Sequence, residues 1–234
     1  MTELSKRLQT IASFVRPGSR IADVGTDHGF LPIYLIEQEI ASHGIAMDVR
    51  KGPLSRAQEH IAEAGLEEKI ETRLGNGLEK LIPGEADTVI IAGMGGPLML
   101  DILRAGSHAS GDVERFVLSP QSDWRGFRLG LRELGLQIVR EEMICEDGKY
   151  YVIMEAVHDV STRVEEESEL RFGRLLLEEK HPVLLEYLLW QTDILTGILE
   201  KLCDGEKPEA ERRREQIRQE LNFVEAALEQ IRKR

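Results

Sequence analysis

The residues whose types and spacing could carry chemistry lie mostly between Ile21 and Pro97. The segment IADVGTDHG, Ile21 to Gly29, runs from an apolar stretch into a loop containing Gly25 and Gly29. A glycine just past a strand lets the backbone approach a ligand closely. The free N–H groups at the start of the next helix can then hold the ligand's polar atoms. A second apolar stretch ends in Asp48, near the separation of about 20 residues at which an acid accepts hydrogen bonds from ribose hydroxyls in doubly wound folds. Together the loop and the acid point to a nucleoside ligand rather than to a structural turn.

Charge narrows the ligand. Asp23 and Asp27 flank the loop, where they would repel a pyrophosphate and suit an α-ammonium and a sulfonium cation, which favours S-adenosylmethionine over a dinucleotide. Val49 follows Asp48 at the same strand end. Gly75-Asn76-Gly77 follows a third apolar stretch, and Asn76 can donate and accept at an adenine edge, although Asn-Gly is also an ordinary turn. A fourth stretch ends in IIAGMGGP, Ile90 to Pro97, where Ala92, Gly93 and Met94 come at the strand end at which substrates meet cofactors. Met94 is either an apolar wall of that site or core packing. His28 either reaches the cofactor carboxylate or caps the following helix.

Elements that could position these residues follow from periodicity. Leu4, Leu8, Ile11, Ala12 and Val15 recur with helical period until Pro17-Gly18. Strand-like and helical stretches then alternate: Arg20 to Val24, Leu31 to Gln38, Gly44 to Asp48, Pro53 to Ala64, Ile70 to Leu74, Thr88 to Ala92, Pro97 to Arg104, Phe116 to Leu118 and Trp124 to Leu134. This is βαβ repetition, and strands without polar alternation imply a parallel sheet covered on both faces. Gln137 to Cys145 and Tyr150 to Val157 flank Asp147-Gly148, a tight-turn signal, and predict a closing antiparallel hairpin.

A boundary is expected near His158 to Thr162, dividing the chain into 1–160 and 161–234. Beyond it Leu184, Leu188, Gln191, Leu195, Ile198 and Leu202 step by 4 and 3, as do Ala210, Arg214, Ile217, Leu221, Val224, Leu228 and Ile231. These heptads predict long helices that fold back through Cys203 to Pro208 as an antiparallel coiled coil. Such a hairpin could pack on the core, mediate dimerisation or grip a substrate, so the chain could be a monomer or a homodimer.

With 234 residues, 41% hydrophobic and 31% charged, the chain can bury a full core and has no apolar run of the roughly 18 residues a membrane span needs. Its first residues read as an amphipathic helix rather than a signal peptide, which predicts a cytoplasmic protein. Cys145 and Cys203 lie far apart, with no spacing for a metal, and no metal is expected. A net charge of −12 argues against nonspecific nucleic-acid binding. Local basic faces remain open to RNA at Arg125, Arg128 and Arg132 and at Arg212, Arg213, Arg214 and Arg218, unless these pair with nearby Glu.

SKRLQTIASFV, ADVGTDHGFLPIYL, KGPLSRAQEHI, IAGMGGPLM, the Pro120-Gln121 pair and EDGKYYVIMEAV together span Ser5 to Val157. In this combination the chain resembles the bacterial TrmK family of tRNA (adenine(22)-N(1))-methyltransferases. The resemblance implies an α/β Rossmann-like class I methyltransferase sheet of parallel strands plus a C-terminal antiparallel hairpin, followed by an α-helical antiparallel coiled-coil domain. It implies S-adenosylmethionine as cofactor, held by Asp23, Gly25, Asp27, His28, Gly29, Asp48, Val49, Asn76, Gly77, Ala92, Gly93 and Met94. It implies tRNA as substrate, with Asp27, His28, Met94 and Gln121 around an extruded adenine. A class I methyltransferase on a small molecule or protein, and a noncatalytic nucleotide-binding module with a helical arm, stay open as alternatives.

Overall fold

The structure, a computed structural model, describes residues 4–159, 165–202 and 208–233. The chain divides into two compact units, Met1–Thr162 and Arg163–Arg234.

The first unit opens with α1 (Lys6–Ala12), whose N-terminus is capped by the Ser5 hydroxyl accepting from the Leu8 amide. The helix is shorter than the apolar period to Val15 suggested. Phe14 and Val15 bond back only three residues, to the carbonyls of Ile11 and Ala12, and Pro17 turns the residue before it away from helical geometry. Phe14 and Val15 are nonetheless buried, so the period marked packing correctly and overstated the helix.

After α1 come β1 (Ser19–Val24), α2 (Phe30–Glu37), β2 (Ala41–Asp48), α3 (Lys51–Glu63), β3 (Ile70–Leu74), β4 (Thr88–Met94), α4 (Gly96–Ala105), α5 (Ser107–Ser110), β5 (Arg115–Pro120), α6 (Trp124–Glu133), β6 (Leu136–Glu146) and β7 (Lys149–His158). The one-turn α5 had no periodic signal. Among the described residues the strands form one sheet in the order β3-β2-β1-β4-β5-β7-β6. β1 to β5 pair in parallel, while β7 runs antiparallel to β5 and β6 antiparallel to β7. This is the Rossmann-like layout expected. Ile21, Ala22 and Val24 of β1, Val89 to Ile91 of β4 and Phe116 to Leu118 of β5 are all buried, as strands covered on both faces must be. The hairpin turns at Asp147 and Gly148, both at positive φ (50° and 72°), and this turn sets the register of Glu146 against Lys149.

The chain builds β1, β2 and β3 outward in one direction and then returns to place β4 on the other side of β1. The crevice at the C-terminal ends of β1 and β4 is therefore the topological switch point, where open α/β sheets bind ligands.

One expectation about charge is overturned. Arg128 was read with Arg125 and Arg132 as part of a basic face on α6, but its side chain is 2% exposed and its Nε and Nη2 donate to Oε1 of Glu141 on β6. Phe127 and Leu131 define the buried face of α6, and Arg128 lies beside them, turned toward β6.

The second unit contains α7 (Glu167–Phe172), α8 (Arg174–Glu178), α9 (Pro182–Leu202) and α10 (Pro208–Arg232). Two short helices thus precede the two long ones, and Gly173, at φ 93°, separates them. α9 packs on α10. The predicted seam holds the less exposed positions, with Leu184 and Leu188 buried on α9 and Ile217, Val224, Leu228 and Ile231 buried on α10. Lys180, just before α9, donates to the carbonyl of Lys233, just after α10. Most of the predicted connector, from Cys203 to Lys207, and part of the predicted boundary lie outside the described residues. In the basic cluster of α10, Arg214 pairs with Glu211 at 2.6 Å and Arg218 lies within 4.0 Å of Glu211 and Glu215. No helix among the described residues is long and apolar enough to cross a membrane.

Removing one partner of the Arg128 and Glu141 pair deprives a buried charge of its opposite 2.9 Å away. Arg128→Met is expected to lower unfolding stability by about 3–5 kcal/mol, and adding Glu141→Leu to recover most of the loss, as read by urea denaturation.

Candidate functional site

At the end of β1 the backbone leaves the sheet through Gly25, at φ 78°. The amides of Gly25 and Thr26 both donate to the Met47 carbonyl on β2, at 2.8 and 2.9 Å, which pins the loop across the strand ends. A Cβ at Gly25 would lie 2.2 Å from Cε of Met94, so the loop passes Met94 more closely than any side chain permits. His28 and Gly29 then take φ of 64° and 71°, and α2 starts with Gly29 at its N-cap.

The His28 conformation is unusual for a residue with a side chain and costs of order 1–3 kcal/mol. His60 of α3 supports it, with Nδ1 2.8 Å from the His28 carbonyl. A carbonyl only accepts, so Nδ1 of His60 carries the proton. The rings of His28 and Phe30 stack at 5.4 Å, and those of Phe30 and His60 at 5.0 Å. His28 Nε2 lies 3.5 Å from Oδ1 of Asp27.

A cavity of about 600 Å³ opens over these strand ends. Asp23, Gly25, Asp27 and His28 line it from β1 and its loop, and Asp48 and Val49 from the end of β2. Asn76 and Gly77 enter after β3, Ala92, Gly93 and Met94 from β4, and Gln121 after β5. Every site residue expected from the sequence faces this cavity except Gly29. A Cβ at Gly29 would stand 3.2 Å from that of Ala57, so its bareness serves the approach of α2 to α3. Asp48 is buried, its Oδ1 accepting from the Arg50 amide at 2.7 Å. Asn76 spends one N–H on Glu79 at 2.9 Å, keeping its other N–H and its carbonyl for a ligand.

The methyltransferase domain family model matches residues 4–154. Over 233 residues, 98% of this chain and 97% of the relative, the sequence is 32% identical to the tRNA (adenine(22)-N(1))-methyltransferase of Bacillus subtilis strain 168. The chain belongs to the tRNA (adenine(22)-N(1))-methyltransferase family. Two solved structures support the same assignment over the whole length. The B. subtilis m1A22 tRNA methyltransferase TrmK superposes with a TM-score of 0.85 at 29% identity, covering 97% of this chain and 100% of that one. TrmK of M. capricolum, in complex with S-adenosyl-homocysteine, gives 0.84 at 29% identity, covering 98% and 99%.

The electrostatics of the cavity are uneven. Asp23 is 7% exposed. Burial pushes its carboxyl up to about 6, the Thr26 hydroxyl offsets part of that rise, and the charge of Asp48 adds to it. Asp23 therefore stores a penalty that a cation beside it would relieve.

Several cavity residues had no signal in the loop motifs. Arg7 and Leu8 arrive from α1, Phe30 and Leu31 from the start of α2, and Leu98 and Ile102 from α4. The SKRL segment belonged to a motif, but its apolar period suggested packing alone.

Because the folded-state carboxyl of Asp23 titrates higher than an unfolded one, the protein is favoured when Asp23 is protonated, and that stability is lost as pH rises through about 6. Asp23→Asn is expected to melt higher than the native chain without ligand at pH 8. The gap should shrink by about 1 kcal/mol on going to pH 5. The same substitution should abolish measurable S-adenosylhomocysteine binding. A variant that melts lower at pH 8 would contradict this account of Asp23.

Proposed function

We propose that this chain transfers the methyl group of S-adenosylmethionine to N1 of the adenine at position 22 of tRNA. The observation that carries the reading is the conjunction of a family relationship over the whole chain with a cavity lined by Asp23, Asp48 and Gly93 at the switch point.

The residues present fit the cofactor. Gly25 leaves a cradle against Met94 that any Cβ would fill, and two buried carboxylates, Asp23 and Asp48, line the same cavity. Asp48 has one oxygen committed to the Arg50 amide and a second to offer ribose hydroxyls. Asn76 and Gly77 would meet the adenine edge, with Val49 against the ring. Asp23 and Asp27 would hold the ammonium, and the backbone of Gly25, Ala92 and Gly93 would admit the amino-acid arm.

When bound, S-adenosylmethionine supplies a methyl group on a sulfonium sulfur, and adenine N1, with a free lone pair at neutral pH, can accept it without a general base. The protein's work is then orientation and exclusion of water. Asp27, His28, Met94 and Gln121 would form the wall against the extruded base. Met94 gives it an apolar surface, Gln121 an amide for its edge, and Asp27 with His28 the negative charge that balances the cationic ring left by methylation at N1. Residues 1–160 would form the catalytic domain and 161–234 a helical coiled-coil domain that contributes to tRNA binding in the cytoplasm.

Incubation with labelled S-adenosylmethionine and unmodified bacterial tRNA should place one methyl per tRNA, recovered as N1-methyladenosine from position 22. A tRNA with guanine at that position should take none. Label recovered in protein, in a small molecule or at another nucleotide would overturn the assignment. Raising salt should weaken tRNA affinity while leaving cofactor affinity nearly unchanged.

A further inference from the structure

We infer that Arg7 is the cation that receives the α-carboxylate of the cofactor's amino-acid arm, so that helix α1, which precedes the sheet, completes the cofactor site. The inference rests on the cofactor reading above and assigns a residue that the loop motifs do not.

A free amino-acid group is a zwitterion. The carboxylates of Asp23, Asp27 and Asp48 suit its ammonium and would repel its carboxylate. A cation is needed on the same side of the cavity. Two arginines line the wall, Arg7 and Arg50. Arg50 belongs to the ribose side, with its amide on Asp48 at 2.7 Å, its Nε 3.7 Å from the same oxygen and its side chain 71% exposed. His28 was the sequence-based candidate for the carboxylate, but its Nε2 faces Asp27 and its ring stacks on Phe30. Arg7 has no such commitment. No carboxylate of the described residues lies within 4.0 Å of its guanidinium.

Position agrees with charge. The two terminal nitrogens of Arg7 lie 3.7 and 3.9 Å from the point where a Cβ on Gly93 would stand, and Nε2 of Gln121 lies 3.9 Å from that point. Three nitrogen donors from two side chains thus converge over Gly93 on β4. The nucleoside-binding candidates Asp48 and Asn76 sit at the ends of β2 and β3. At about 4.8 Å per strand, β4 is about 10 Å from β2 across β1. A ligand laid across the strand ends, with its ribose at Asp48 and its ammonium by Asp23, ends at Gly93 under the Arg7 fork.

The fork is also held in advance. The Arg7 guanidinium sits 5.2 Å from the Tyr151 ring centroid, and its backbone amide donates to Glu146 at 3.3 Å, so the hairpin of β6 and β7 fixes the arginine from behind. A planar guanidinium matches a carboxylate in two parallel hydrogen bonds, which a lysine cannot reproduce.

The test compares two ligands on the full-length chain by calorimetric titration. S-adenosylhomocysteine carries the amino-acid arm, and 5′-methylthioadenosine has the same nucleoside and thioether without it. Arg7→Met should weaken S-adenosylhomocysteine binding roughly 10- to 100-fold and leave 5′-methylthioadenosine unchanged, which also shows that the variant is folded. Arg7→Lys should fall between Arg7→Met and the native chain. Equal weakening of both ligands, or of neither, overturns the inference, as does a loss confined to tRNA affinity, which would move Arg7 to the substrate's phosphates. A native chain that binds neither nucleoside overturns the cofactor reading itself, whereas one that binds S-adenosylhomocysteine with no effect of Arg7→Met overturns this inference alone.

Discussion

One carbonyl holds the site open. The Met47 oxygen accepts from the amides of Gly25 and Thr26, so the last residues of β2 carry the loop that leaves β1. Without that anchor the left-handed residues at 25, 28 and 29 would have no reason to stay in that geometry, and the chain could relax into an ordinary strand-to-helix turn. With it, the bare Gly25 lies against Met94 at the end of β4, and the ends of β1, β2 and β4 face one cavity. The second support is more local. His60 holds the His28 carbonyl from α3, so the helix that follows β2 helps to fix a loop to which it does not belong.

Two buried charges in the same unit are treated in opposite ways. Arg128 and Glu141 meet in the core 2.9 Å apart with side chains 2% and 1% exposed, so the pair fixes α6 against β6 at little net gain. Asp23 has no cationic partner in the described structure, and burial raises its carboxyl to about 6. A structural carboxylate would be paired in the same way as Glu141. An acid left costly in the folded state makes sense where a ligand supplies the missing charge, and the free energy withheld from folding reappears as selectivity for a cation.

Much of this was legible in the sequence because a parallel sheet writes its ligand contacts at strand ends. Asp23, Asp48 and the Gly93-Met94 end of β4 each follow an apolar run, and alternation alone places those ends together. What stayed hidden depends on direction around a helix or on contacts across the fold. Arg125, Arg128 and Arg132 have the spacing of an exposed face, but the apolar side of α6 is Phe127 and Leu131, and Arg128 turns inward to meet Glu141 on β6. Gly29 does not line the cavity, and its closeness to Ala57 of α3 left no trace in the loop motif. Arg7 lies within a period that reads as packing, and no local pattern states that a helix preceding β1 reaches over β4. The heptads of α9 and α10 selected the less exposed positions correctly, whereas α7 and α8 are too short to leave a period.

The acidity of the chain bears on how an RNA could approach it. A net charge of −12 opposes a polyanion at long range, but screening confines that opposition to about 8 Å at physiological salt. Within that distance individual partners decide. On α10 the exposed Arg218 lies within 4.0 Å of Glu211 and Glu215, and exposed pairs of this kind contribute only about 0–1 kcal/mol each. A phosphate can replace such a glutamate at small cost, and the arginine loses little by the exchange. The glutamates therefore weaken indiscriminate attraction without removing the arginines from use, which favours a nucleic acid whose shape brings phosphates to the right places over one that is merely charged. Arg128, sealed in the core by its own glutamate, cannot take part in such an exchange.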